Sequence, residues 1–89
     1  MLKAATKIRD IVGWRGTVAL YRLSEPVAYD GGTTGHVVVS AAITPDKGRE
    51  TFLFPADDAG RVLAWGELDG SFRGGLSHKA ALNGAKFSC

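Results

Sequence analysis

The most regular alternation in the chain lies between His36 and Thr44. Val37, Val39, Ala41 and Ile43 alternate with His36, Val38, Ser40, Ala42 and Thr44, which gives a β-strand one strongly apolar face. Pro45-Asp46-Lys47-Gly48 follows, proline early and glycine late, as a turn requires. Thr51-Phe52-Leu53-Phe54 then returns as the second arm of a hairpin and stops at Pro55. Upstream, residues 17–23 are apolar on both faces, which predicts a central strand, ended at Ser24-Glu25-Pro26 because proline has no N–H for a ladder. Pro26 to Gly35 reads as a long mobile connection turning at Asp30-Gly31-Gly32. Asp57-Asp58-Ala59-Gly60 marks another turn, and Val62-Leu63-Ala64-Trp65 a short fourth strand that completes an antiparallel meander.

Two segments read as helices. Met1, Ala4, Ala5, Ile8, Ile11 and Val12 fall on one helical face, with Lys3, Thr6, Lys7 and Asp10 opposite and Gly13 as the stop, so the spacing predicts a helix over 2–12. Its charges run against the helix dipole, with Lys3 at the start and Asp10 at the end, and no capping residue precedes it. Near the C-terminus, Ser77 reads as the N-cap of a short helix over 78–82, with Leu76 packing on Ala81 and Asn83-Gly84 as the end. Residues 66–75 hold four glycines and no apolar period, and Phe87 is expected to fold back onto the body. The expected fold is one α+β domain over 1–89, in two layers. An N-terminal helix through residue 13 and a short C-terminal helix within 66–89 pack a three- to four-stranded antiparallel sheet over 17–65.

Composition narrows the class. Hydrophobic residues at 45% and charged residues at 22% describe a globular chain rather than a disordered one, and 89 residues suffice for a single thin core. The single cysteine, Cys89, forms no internal bridge, whereas small secreted domains usually hold several. With no long apolar run and no signal-like stretch after Lys3 and Lys7, a cytoplasmic location is expected. Charge is segregated: residues 1–24 carry five Lys/Arg and one Asp, 25–70 three basic and eight acidic residues, and 71–89 three basic residues. In space this becomes either two opposed charged faces or a mixed solvated surface.

No pattern predicts catalysis. His36 and His78 are far apart, and no ligand pair has zinc spacing. Asp57, Asp58, Glu67 and Asp69 are turn carboxylates, and the run from Asp57 lacks the glycine and closing glutamate of a calcium loop. Ser77 and His78 are adjacent on a helix and do not face each other. Gly31 to Gly35 lacks the lysine of a phosphate loop, and no dinucleotide fingerprint follows a strand. The expectation is a non-enzyme with no metal and no cofactor.

Binding chemistry is better represented. Trp65, Glu67, Asp69 and Arg73 share one irregular segment, and Trp and Arg are enriched in binding hot spots. Trp65 reads equally as a core residue. Asp57 and Asp58 are candidates from the acidic stretch, and Lys7 and Arg15 from the basic one. Lys3, Lys7, Arg9, Arg15, Arg22, Arg73, Lys79 and Lys86 lie in the terminal segments with Trp14, Tyr21 and Phe72 among them. Two helices on one side of the sheet would gather these into a nucleic-acid-binding face.

Three runs resemble a group of small uncharacterised bacteriophage and prophage proteins: Tyr21-Arg22-Leu23-Ser24-Glu25-Pro26, Val37 to Ala41, and Glu50 to Ala56. Val62, Trp65, Glu67-Leu68-Asp69-Gly70-Ser71, Gly74-Gly75, His78 and Ala81-Leu82 extend the resemblance over about residues 20–84. It implies no activity and no catalytic residues. It implies a context in which small one-domain proteins bind a host protein or ribonucleoprotein complex in the bacterial cytoplasm and block it, inhibitors of CRISPR effectors being one such class. The alternatives are a nucleic-acid binder and a virion-associated structural protein that assembles through an exposed sheet edge.

Overall fold

The computed structural model describes residues 3–12, 16–46 and 48–88. Trp14, Arg15 and Cys89, singled out above, lie outside them. Four long strands, β1 (Lys3–Ile11), β2 (Thr17–Tyr29), β3 (Gly32–Thr44) and β4 (Gly48–Ala56), are followed by β5 (Phe72–Arg73), one helix α1 (His78–Gly84) and β6 (Phe87–Ser88). They form one curled sheet in the order β5-β4-β3-β2-β1-β6, antiparallel throughout except where β6 runs parallel to β1, giving a half-barrel.

The expected three- to four-stranded α+β sheet with an N-terminal helix is therefore corrected: the fold is mostly β, six strands wide, with one short helix. Residues 3–11 form a strand paired along β2 from Ala5↔Leu23 to Ile11↔Val18, with a bulge between Lys7 and Arg9. The proposed helical face does not exist as a buried stripe: Ile8 and Val12 are 46% and 90% exposed, and Ala5 is the buried member. Ladder bonds to β2 outweigh a helix whose charges opposed its dipole and which lacked a cap. Pro26 does not end β2 either. It sits in the register shift between Arg22 and Val27, and β2 continues to Tyr29. The expected mobile connection is a tight hairpin at Asp30 and Gly31, with Val27↔Thr34 and Tyr29↔Gly32 paired. Val62 to Trp65 contributes only an isolated bridge, Ala56↔Val62.

Alternation divides the core between the two faces of the sheet. The concave face holds Ala19, Tyr21, Leu23, Val37, Val39 and Leu53, closed by Ala81 and Leu82 of α1 and by Phe87. Burying this set contributes on the order of 1.5–3 kcal/mol for each large side chain. The helix is set as expected by Ser77, whose Oγ accepts from the Ala80 N–H at 3.1 Å. His78 pins it to β2: Nε2 donates to the Thr17 carbonyl at 2.9 Å, and Nδ1 accepts from the Tyr21 hydroxyl at 3.2 Å. Phe87 folds back into the core as expected and is 1% exposed. The convex face carries a smaller cluster, Val18, Leu20, Val38 and Ala56, with Ile11 and Val62 packed against it.

Candidate interaction surface

On β4 the even residues Phe52 and Phe54 point to the convex face beside Ser40 and Val38 of β3. The convex cluster under Val62 does not reach them, and both rings remain half-buried. The chain leaving β4 turns tightly at Asp57 and runs back along the outer edge of β4. That edge is fully strapped: Leu63 donates to the Pro55 carbonyl at 2.8 Å and Leu68 to the Leu53 carbonyl at 2.8 Å. Leu53 in turn donates to Ser71 Oγ at 2.9 Å. Pro55 is tolerated in this strand because its missing N–H falls on the outer side, away from β3.

The strap places Trp65 edge-on to Phe54, with ring centroids 5.4 Å apart and 66° between planes, and Phe54 meets Phe52 at 6.1 Å and 60°. These offset geometries are the favourable ones for aromatic pairs. Trp65 is nonetheless 67% exposed, so it is a surface residue and not a core one. Arg73, paired with Glu50 across β4 and β5, lays its guanidinium over Phe52 at 5.3 Å. Arg73 Nε lies 2.9 Å from Glu50 Oε2, and Arg73 Nη2 lies 3.5 Å from Glu67 Oε1. Glu50 is 4% exposed, and its other oxygen accepts from Thr44 Oγ1 at 3.3 Å. The Arg73–Glu50 contact is a charge contact without hydrogen-bond alignment, leaving Oε2 with no hydrogen-bond partner among the described residues. Arg73 is thereby fixed by charge and by its ring partner.

Of the sequence candidates, the fold brings Trp65, Glu67 and Arg73 into one surface. Asp69 lines the concave side together with Leu68 and Ala28. Asp57 is a turn residue: its Oδ1 accepts from Ala59 N–H at 3.0 Å and Arg61 N–H at 2.9 Å, and its Oδ2 from Arg61 Nε at 2.9 Å. The Arg61 backbone bond, ahead of the Arg61 side chain and the Ala59 amide, holds its carboxyl below the ordinary 3.8. Asp58 is exposed in the same turn. Lys7 lies on β1, at the far side of the sheet, where its hydrogen bond to Asp10 at 2.6 Å raises its pKa above the usual value. The two-helix arrangement expected to gather the basic residues is absent, because residues 3–11 form a strand. Lys3 and Lys7 sit on β1 and Arg73 on β5, near opposite edges of the sheet. Sequence reasoning missed Phe52 and Phe54 as site residues. Their i, i+2 spacing on a predicted strand was the available signal, since it puts both rings on one face.

Among the described residues no three of His, Cys, Asp and Glu gather where they could share a metal ion, and no helix is long and apolar enough to cross a membrane. No protein-family model, curated protein or solved structure matches the chain.

Proposed function

We propose that this protein is a non-enzymatic binder that inhibits or redirects one macromolecular partner, docking it on the convex surface formed by Phe52, Phe54, Trp65 and Arg73. The observation that carries the reading is the presentation of Trp65, an exposed indole held edge-on against a half-buried ring. A large apolar side chain kept at the surface in a fixed orientation has the character of a binding anchor. Arg73 adds a preordered cation stacked on Phe52, with Glu67 beside it. The edge beneath is strapped by backbone hydrogen bonds, so the surface is rigid and loses little entropy on docking. In the phage context suggested by residues 20–84, the partner is a host protein or ribonucleoprotein complex.

The test is capture from a nuclease-treated bacterial lysate with the wild-type chain and with Trp65→Ala. A partner retained after nuclease treatment by the wild type, and lost with Trp65→Ala while its melting temperature holds, is the expected result. Capture that vanishes with nuclease would replace the protein partner with a nucleic acid. Capture indifferent to Trp65 would remove this surface from the account.

A further inference from the structure

On the opposite side of the strap, the concave face opens into a groove. Its deeper part, about 320 Å³, has a floor of Leu23, Val37, Leu53 and Phe87. A shallower part of about 290 Å³ continues from it, sharing Ala28, Leu68 and Asp69. One wall is the consecutive run Pro26 to Asp30, and the other is formed by the strap from Ala64 to Asp69. Five residues of near-extended chain span roughly 13 Å, so the groove is an elongated trough matched to a short extended peptide rather than a closed cavity for a compact ligand.

Its two ends differ in chemistry. At the deep end Lys3 stands over the Phe87 ring at 5.8 Å and is paired with Glu25 at 3.3 Å, so that end is apolar with a cation at its edge. The shallow end is lined by Asp30, Glu67 and Asp69. Glu67 is engaged with Arg73, whereas Asp30 and Asp69 have no ion-pair partner among the described residues. The cation at the deep end is already paired with Glu25, whereas Asp30 at the shallow end and Asp69, shared by both parts, are unpaired among the described residues, so a cationic side chain is favoured towards the shallow end, which orients an occupant.

We infer that this groove binds a short extended peptide segment of a partner, seating an apolar side chain over Leu23, Val37, Leu53 and Phe87 and a Lys or Arg side chain between Asp30 and Asp69. The groove lies on the other side of the strap from the Phe52–Trp65 surface, the two sharing Glu67.

The test uses two probes, acetyl-Leu-Gly-Lys-Arg-amide and acetyl-Leu-Gly-Glu-Glu-amide, titrated into the full chain with amide chemical shifts as readout. The expected result is saturable shifts at Val27, Ala28, Leu68 and Ala85 with the basic probe only. Asp30→Lys combined with Asp69→Lys should weaken that probe at least about tenfold and turn preference toward the acidic one. Ala28→Trp, at an exposed position, should block the basic probe while leaving the dispersed spectrum of a folded chain. Absence of saturation into the millimolar range, shifts centred on Phe52 and Phe54, or indifference to the charge reversal would each overturn the inference.

Discussion

At Gly70 the backbone of the strap meets the C-terminal end of α1. A Cβ there would lie 2.3 Å from the Ala81 carbonyl oxygen and 2.9 Å from the Ala85 nitrogen, and the residue has a φ of +102°. Gly84 answers from the helix, its own Cβ position lying 3.1 Å from the Gly70 Cα. Gly70→Ala therefore combines a disfavoured backbone conformation with a clash against main chain that cannot move aside. Its expected cost is about 3 kcal/mol, seen as a melting temperature lower by roughly 12–24 °C in calorimetry. Asp57 gives a pH signature of a different kind. Its folded-state pKa is depressed below 3.8, so its contribution to stability is present above that value and disappears as pH falls through the folded-state pKa. The gap in melting temperature between wild type and Asp57→Asn should be full at neutral pH and close in acid. A gap that is constant with pH would contradict the charged cap. The sequence marked Asp57 as a turn carboxylate but not its bonds to the amides of Ala59 and Arg61, because that ring exists only once the turn has closed.

At the scale of elements, legibility followed the locality of the signal. The hairpin of β3 and β4, the Ser77 cap and the folding back of Phe87 rest on alternation, turn chemistry and a capping hydroxyl, all readable in a few residues. Residues 3–11 carry a helical spacing at Ala4, Ala5, Ile8 and Ile11, while what makes them a strand lies in the partner residues Tyr21, Leu20 and Val18 on β2. β5 and β6 are two residues long and carry no period at all, so only the edges they cover define them. Thr51 ties these late elements to the sheet. It is 0% exposed, and its Oγ1 donates to the Gly75 carbonyl at 2.8 Å and accepts from the Ser77 N–H at 3.2 Å. Thr51→Val keeps the shape and strands both groups, for an expected loss of about 2 kcal/mol in a denaturant titration. An unchanged midpoint would mean that those groups find other partners.

For the whole molecule, the curled sheet settles what the chain left open. Trp65 lies outside, and the segment carrying it separates an aromatic convex surface from a concave groove with an acidic end. Of the basic residues, Lys3, Lys7, Arg61 and Arg73 are each engaged with a nearby carboxylate. Of the candidate surface, Trp65, Glu67 and Arg73 were legible as a mixed aromatic and charged run. Phe52 and Phe54 required knowing which face of β4 stayed uncovered.

The most direct test is the affinity of the captured partner for wild type against Trp65→Ala, measured by titration calorimetry on folded protein. Trp65→Ala is expected to lose at least about 2 kcal/mol, roughly thirtyfold, with stability changed by less than about 1 kcal/mol. Equal affinity for the two chains would contradict it.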